Sequence, residues 1–302
     1  CLDFLSRILR IDRSGSLIER SSRLGKELLV EMAQLVDLFA LHVAALEADK
    51  VEACEVRALA HDHDAAGRVR AVRQVADGAE PGRTMNIPNG VDLKRLSALR
   101  EKRTPSPPPV LCLIGRVVPI KDVKTFIRAM RRVVNQMPQA EGWIAGPTDE
   151  DASYAQECEN LVRSLGLQEH VKFLGFQRVE DLMPRIGLVV LSSISEALPL
   201  VLLEGYAAGV PAVSTDVGSC RQLVEGLDDE DRALGASGRI VPIADPQQLA
   251  DASLALLKDP AAWQAASQAA IARVERYYTD TMMFDRYRAV YETALARTEG
   301  AH

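Results

Sequence analysis

The sequence predicts an α/β fold, in which a Rossmann-like parallel sheet carries helices on both faces. Between residues 110 and 241, short and mostly apolar runs alternate with segments of helical periodicity. Strands that are apolar throughout are typical of a parallel sheet that is covered on both faces. The third observation is a change near residue 87, because the residues before it have helical character almost throughout.

The elements of this sheet follow from the apolar pattern and from the residues that interrupt it. The first five predicted strands end in glycine or small polar residues, and Gly166 is a predicted helix cap. The predicted strands are 110–114, 142–145, 171–174, 188–191, 210–213 and 238–241. The predicted helices are 121–135, 154–165, 199–208 and 219–224, followed by three helices from 246 to about 296.

The first part of the chain has a different character. Apolar residues recur at three- and four-residue intervals between Leu28 and Leu46, which predicts a long amphipathic helix. A turn is predicted at 87–92, and the proline tract at 104–109 is predicted to be extended. Because no run of four or more β-branched residues precedes Ile87, we expect no parallel sheet from this stretch alone.

Composition excludes some functions. The chain has 302 residues and a net charge of −6, which argues against a nucleic-acid binder with a basic surface. Its five cysteines are scattered without a C-x-x-C pair, so we expect reduced thiols in a cytoplasmic protein. No signal peptide and no apolar run of about 20 residues is present in the sequence given. Since the sequence begins with Cys1, we expect a fragment or a processed product.

Two glutamates, Glu196 and Glu204, form the strongest motif, with seven residues between them. Pro199 suits a first helical turn, so Glu196 is predicted to precede a helix and Glu204 to lie within it. Eight helical residues rise about 12 Å, whereas the carboxyl groups of a retaining glycosidase lie about 5–5.5 Å apart. The two glutamates must therefore have separate roles, beside a helix start that attracts anions. Without further context, solvated surface glutamates explain the motif equally well.

Two cations follow the first predicted strand. Gly115 permits close backbone approach, and Arg116 and Lys121 belong to the same loop. An arginine can grip a phosphate with two hydrogen bonds, and a lysine acts as a point charge. Ligands in such sheets lie beyond the carboxyl ends of the strands, where this loop and the glutamate motif both belong. A basic surface loop is the alternative interpretation.

Together these motifs resemble the family-4 retaining glycosyltransferases of GT-B fold. The resemblance is carried by the Gly-Arg…Lys loop, the Glu-x7-Glu segment and two further segments, 87–92 and 171–175. It covers roughly residues 75–298, and 115–130 and 174–209 are most similar to the PelF group of exopolysaccharide glycosyltransferases. One position departs from the family pattern, because the glycine that usually follows the lysine is Asp122 here.

The resemblance implies roles for the matching residues. Arg116 and Lys121 would hold the donor diphosphate beside Gly115, and Glu204 would bind the ribose hydroxyls. Glu196 would lie beside the transferred sugar, so the implied catalytic set is Glu196, Arg116 and Lys121. The donor would be a nucleotide sugar, with uracil as the expected base, and neither a metal nor another cofactor is expected.

The remaining implied contacts involve backbone groups and small side chains. The strand segment Phe173, Leu174 and Gly175 would flank the base. Leu200 and Val201 would offer backbone N–H groups at the helix start. Ser195 is a weaker candidate for a donor contact, as are Ser192 and Ser193.

The resemblance also implies a domain organisation. Residues 1–92 would be a helical remnant of the N-terminal acceptor domain with the crossover, and 93–109 a Pro-rich linker. Residues 110–275 would be the nucleotide-sugar-binding domain, and 276–302 a helix that packs back towards the N-terminal domain. Expected partners are a glycan acceptor and an inner-membrane polysaccharide complex, with recruitment of the cytoplasmic protein to the inner face of the membrane.

Other interpretations stay open or are disfavoured. The activity would be transfer of a hexose to a growing exopolysaccharide; the alternatives are a binding module without transfer activity and a sugar phosphorylase of the same fold. The segments 61–64, 149–151 and 228–231 contain metal-ligand residue types. We interpret them as a solvated turn and as surface charge.

Overall fold

The computed structural model describes residues 59–60 and 85–299, and the side chains of residues 85–293. Its centre is a sheet of six strands, β3 (Val110–Ile114), β4 (Glu141–Ala145), β5 (Val171–Gly175), β6 (Leu188–Leu191), β7 (Ala212–Thr215) and β8 (Gly238–Val241). Their order in the sheet is β5-β4-β3-β6-β7-β8, and every strand pair is parallel. This confirms the predicted Rossmann-like sheet.

The interior strands of the sheet are covered on both faces, as their apolar sequences predict. Successive side chains of a strand point to opposite faces. Leu111 and Val190 accordingly belong to one apolar cluster, and their neighbours Cys112 and Val189 belong to the other. All four residues of β6 are buried, because this strand lies in the interior of the sheet.

Helices connect the strands and continue after them. The helices are α1 (Leu93–Ser97), α2 (Val123–Gln136), α3 (Ala152–Ser164), α4 (Val179–Leu182), α5 (Leu200–Ala207), α6 (Cys220–Glu225), α7 (Asp229–Arg232), α8 (Pro246–Leu257), α9 (Pro260–Tyr277) and α10 (Asp280–Glu299). Most of the longer helices begin at an aspartate whose side chain accepts a backbone N–H, for example Asp151 for α3 and Asp259 for α9. No helix in the described ranges is long and apolar enough to cross a membrane.

Two short strands lie outside the main sheet. β1 (Leu59–Ala60) pairs in parallel with β2 (Asn86–Ile87). The helical pattern did not predict a strand at 59–60. The predicted helix between Leu28 and Leu46 and the segment 61–64 lie outside the described residues.

The predicted crossover at 87–92 packs against the start of α10. Val91 accepts a hydrogen bond from the Asp280 N–H at 3.1 Å and donates its own N–H to the Tyr278 carbonyl at 3.0 Å. A Cβ atom on Gly90 would lie 2.2 Å from the Thr279 carbonyl oxygen, so only glycine permits this approach. The two chain segments are therefore held together at this point.

The segment 93–109, predicted as a linker, is packed along much of its length. It begins with α1, and Leu96 and Leu99 are buried. Arg103 donates hydrogen bonds to the carbonyls of Met183 and Ile186, and its guanidinium lies 5.3 Å from the centre of the Trp263 ring. Burial lowers the pKa of Arg103 to about 10. These contacts fix the segment on the domain.

One interpretation of the acidic segment 228–231 was wrong. Asp231 is only 2% exposed and accepts a hydrogen bond at 2.6 Å from Arg273, which is fully buried. Arg273 also donates to the carbonyls of Val224 and Gly235. A buried charge is tolerated when it is paired and its remaining donors are used. Asp231 is therefore an internal anchor, while the other three residues are exposed.

The cysteines of the described part of the chain agree with the predicted thiols. Cys112, Cys158 and Cys220 are buried and free. Burial raises the pKa of the Cys158 thiol to about 11 and that of Cys220 to about 12. Both groups are therefore protonated at neutral pH.

Candidate functional site

The loops that follow β3, β4 and β5 lie side by side at the carboxyl edge of the sheet. The Gly115 N–H donates to the Ala145 carbonyl at 2.9 Å, and the Gly146 N–H donates to the Gly175 carbonyl at 2.8 Å. A Cβ atom on Gly146 would lie 1.9 Å from the Gly115 carbonyl oxygen. Glycine at this position therefore lets the first two loops approach each other.

Lys121 and Glu196 form the centre of the site. The Lys121 ammonium lies 2.5 Å from Glu196 Oε1, and the two side chains are 22% and 13% exposed. The Ser193 hydroxyl donates to the same oxygen at 2.6 Å. Two loops predicted to share one edge of the sheet thus meet through an ion pair that remains accessible to solvent.

The backbone around Lys121 explains why Asp122 can replace the usual glycine. Lys121 ends a short 3₁₀ turn, Pro119–Lys121, and Asp122 has a left-handed conformation with φ 42°. Glycine adopts this conformation freely, and aspartate is among the few other residues that tolerate it. Asp122 also accepts the Thr125 N–H and caps α2. Asp122 therefore adopts here a conformation that glycine would adopt freely.

Arg116 is held by an acidic residue that the sequence analysis assigned to the surface. The guanidinium lies 2.5 Å from Glu150 Oε1, and both side chains are about half exposed. The hydrogen bond and charge of Glu150 raise the pKa of Arg116, and the charge of Glu196 raises it further. Arg116 therefore lies within electrostatic reach of Glu196. Glu150 is indeed exposed, but its position beside Arg116 has no signature in the sequence.

The start of α5 has unused hydrogen-bond donors beside Glu196. The residue before the helix is Pro199, and no side chain caps the helix. The first N–H groups of a helix lack intrahelical partners, so those of Leu200 and Val201 are available to a ligand. Ser195 is exposed in the same loop. The helix starts one residue later than predicted, and Glu196 and Glu204 lie before and within it as predicted.

Glu204 belongs to a second cluster. Its charged neighbours in the described part of the chain are Arg95, which lowers its pKa, and Glu180, which raises it. Burial is the largest effect, and the pKa of Glu204 is raised overall. Arg95 and Glu180 are 2.5 Å apart and lie on the short helices α1 and α4, which the sequence did not predict. The two glutamates of the motif thus have different surroundings, as the helical spacing predicted.

The end of β5 has irregular pairing. Ile144 pairs with Phe173 and Ala145 pairs with Gly175, so Leu174 has no pairing partner in the register of β4 and β5. Gly175 has a left-handed φ of 63°, and the Gln177 side chain donates to the Leu174 carbonyl at 2.8 Å. Phe173, Leu174 and Gly175 are all half-buried. Irregularities of this kind are common next to binding sites, because they redirect backbone groups.

The loop after β7 packs against the backbone of Glu196 and Ala197. Gly218 has a φ of 53°, and a Cβ atom there would lie 2.2 Å from the Glu196 carbonyl oxygen. The neighbouring Ser219 donates both its N–H and its hydroxyl to the Ala197 carbonyl, at 3.0 and 2.7 Å. Neither Gly218 nor Ser219 was singled out in the sequence analysis. The Gly-Ser pair after a strand end was the available signal.

Comparisons with known proteins agree with this architecture. A family model described as glycosyl transferases group 1 matches residues 96–273. D-inositol 3-phosphate glycosyltransferase 2 of Catenulispora acidiphila is 30% identical over 197 residues, which cover 61% of this chain and 44% of the relative. The lipopolysaccharide core biosynthesis mannosyltransferase LpsB of Rhizobium meliloti is 28% identical over 235 residues, covering 72% and 65%.

A solved structure shows the same fold. The crystal structure of HepE from Anabaena in complex with UDP and glucose has a TM-score of 0.63 at 22% identity, covering 75% of this chain and 61% of HepE. The sheet is thus the Rossmann-like C-terminal half of a GT-B fold. The chain spans about half the length of the first two curated relatives it matches, with 44% and 54% of each covered. Since the family match takes in all six strands and more than half of the chain, this protein belongs to the glycosyl transferases group 1 family.

Proposed function

We propose that this chain provides the donor-binding half of a glycosyltransferase that moves a hexose from a UDP-sugar to a growing exopolysaccharide. The observation that carries the proposal is the Lys121–Glu196 pair, which lies at the carboxyl edge of the sheet beside an uncapped helix start. UDP and glucose bound to HepE support the choice of donor. The name of LpsB supports a cell-surface glycan as the product.

The cations would stabilise the leaving group. Cleavage of the bond between sugar and diphosphate develops negative charge on the phosphate, and fixed cations stabilise this charge most in the transition state. A lysine ammonium has three donors, of which one is used by Glu196, so Lys121 retains donors for a phosphate. Arg116 would release Glu150 and grip the diphosphate, and the N–H groups of Leu200 and Val201 would add the field of the helix start.

Glu196 would position the sugar. Both of its hydrogen bonds to described residues fall on Oε1, so Oε2 is open to a hydroxyl group of the transferred sugar. The acceptor would attack on the face that the phosphate leaves, which retains the anomeric configuration. With Arg116 and Lys121 as counter-charges, the reaction would need neither a metal nor another cofactor.

The nucleoside would extend along the same edge. Glu204 would accept the ribose hydroxyls, and the irregular backbone at Phe173, Leu174 and Gly175 would face the uracil base. Ser195 would contribute a side-chain hydroxyl to the donor. In finer terms, we assign the chain to the family-4 retaining enzymes and to the PelF group, acting at an inner-membrane polysaccharide complex on the cytoplasmic side.

A ligand panel combined with a transfer assay tests this function. Thermal shifts are measured with UDP, GDP, ADP, UDP-glucose and UDP-N-acetylglucosamine, and release of UDP is followed in the presence of glycan acceptors. We expect the uracil nucleotides to raise the Tm and the other two to have little effect. Absence of a shift with every nucleotide would contradict the proposal.

Two further outcomes would replace transfer with another function. Binding of the UDP ligands without turnover would indicate a nucleotide-sugar-binding module. Release of sugar that depends on added phosphate would indicate a phosphorylase of the same fold.

A further inference from the structure

Three buried hydroxyl groups donate hydrogen bonds to the loops that form the site. Ser192, Ser193 and Thr215 are each at most 1% exposed and lie at the ends of β6 and β7. A hydroxyl group is buried at a cost unless it forms hydrogen bonds. Each of these three donates to a group on the loops that carry Lys121 and Glu196. Their arrangement therefore bears directly on the geometry of the ion pair.

Thr215 begins a chain of two hydrogen bonds that ends on Glu196. The Thr215 hydroxyl donates to the Ser193 carbonyl at 2.6 Å, with the Leu191 carbonyl more distant at 3.4 Å. The Ser193 hydroxyl then donates to Glu196 Oε1 at 2.6 Å. Thr215 thus fixes the peptide of the residue whose side chain orients the carboxylate.

The other supports of this region hold the backbone. Ser219 fixes the Ala197 carbonyl, and the Ser192 hydroxyl donates to the carbonyls of Lys121 and Asp122 at 2.9 and 3.0 Å. These bonds hold the backbone at Lys121, Asp122 and Ala197, whereas Thr215 holds the peptide of Ser193. The two hydrogen bonds from Thr215 to Ser193 and from Ser193 to Glu196 orient the Glu196 side chain.

We infer that Thr215 is a positioning residue for sugar transfer, which acts on Glu196 through Ser193 and does not contact the donor diphosphate. The inference rests on the proposed function, because it requires Glu196 to lie beside the transferred sugar. Loss of the Thr215 hydroxyl would disturb the transfer step and leave the binding of UDP unchanged.

The test uses two variants of Thr215 that separate hydroxyl from volume. Thr215→Val keeps the shape and removes the donor, whereas Thr215→Ser keeps the donor. Ser193→Ala removes the hydrogen bond from the Ser193 hydroxyl to Glu196. Ser253→Ala is the control, because Ser253 is a buried hydroxyl of α8 that donates to the Leu249 carbonyl. For each variant we would measure Tm, UDP affinity, kcat and KM with the UDP-hexose that the wild type uses fastest, and a crystal structure.

We expect Thr215→Val and Ser193→Ala to lower kcat by about 10- to 100-fold, the range expected when a reacting group is misplaced by about 1 Å. UDP affinity should stay at the wild-type value, Thr215→Ser should keep most of the rate, and Ser253→Ala should keep all of it. In crystals of Thr215→Val, Glu196 Oε1 should have moved away from the Lys121 ammonium.

Several results would overturn the inference. A wild-type rate in Thr215→Val would do so, as would an equal loss in Thr215→Ser or an unmoved Glu196 carboxylate in the valine variant. Failure of the wild type to bind UDP would instead contradict the proposed function. If the wild type binds UDP without turnover, the position of Glu196 in the variant crystals decides the question.

Discussion

At the scale of single residues, both cations that we assign to the diphosphate are paired with carboxylates. Lys121 is paired with Glu196 and Arg116 with Glu150. The first pair is largely buried and supported by Ser193, whereas the second is about half exposed. A ligand phosphate would therefore displace Glu150 from Arg116, whereas Lys121 retains donors for the phosphate while it stays paired with Glu196.

Removing the competitor should strengthen donor binding. We expect Glu150→Gln to raise UDP affinity by about two- to fivefold, because an exposed ion pair is weak and its loss frees Arg116 for the diphosphate. Calorimetric titration with UDP measures this change, and the exposed Glu169→Gln variant is the control. Weaker UDP binding in Glu150→Gln would mean that Glu150 supports the donor site.

Glu204 should show a trade-off between stability and binding. Burial raises the pKa of this carboxyl, so its charged form opposes folding, and the resulting loss of stability grows as pH rises from its unfolded pKa through its folded pKa. We expect Glu204→Gln to raise the Tm at neutral pH, with little change below pH about 4, and to weaken UDP binding. Thermal denaturation across pH, with Glu169→Gln as control, measures the first effect. A variant that is less stable at neutral pH would contradict this assignment.

At the scale of elements, the sheet could be predicted from the sequence because its signal is local. An apolar run ended by glycine or small polar residues marks five of the six strands, and the observed strands agree within about two residues, for example Ala212–Thr215 against 210–213. The short helices α1 and α4 were missed, since five and four residues carry too little periodicity. Asp231 was misread because its partner Arg273 lies far along the chain.

The Asp231–Arg273 pair should contribute strongly to the stability of the region around α6 and α7. We expect Arg273→Met to lower the free energy of unfolding by about 3–5 kcal/mol, because it leaves a buried carboxylate unpaired. This corresponds to a fall in Tm on the order of 10 °C. Arg276→Met is a matched control on the same helix, since Arg276 pairs with Glu230 at the surface. Equal shifts in the two variants would show that burial of the pair is unimportant.

At the scale of the whole molecule, the edge that holds the site was predictable but the contacts within it were not. Topology alone brings the loops after β3 and β6 to one edge, which placed Lys121 near Glu196. The hydrogen bonds of Thr215 and Ser219 leave no spacing pattern, because they join side chains to backbone carbonyls of another loop. The electrostatic effect of Arg95 on Glu204 depends on the path of 93–109 over the domain, which only the structure gives.

The central claim is that Lys121 and Arg116 bind the diphosphate of a nucleotide sugar. Calorimetric titration of the wild type, Lys121→Ala and Arg116→Ala with UDP and with uridine tests it most directly. Loss of a charge-assisted hydrogen bond costs about 1.5–3 kcal/mol, so UDP affinity should fall on the order of 10- to 100-fold. Uridine affinity should stay at the wild-type value. Equal losses for both ligands, or undiminished UDP binding, would contradict the account.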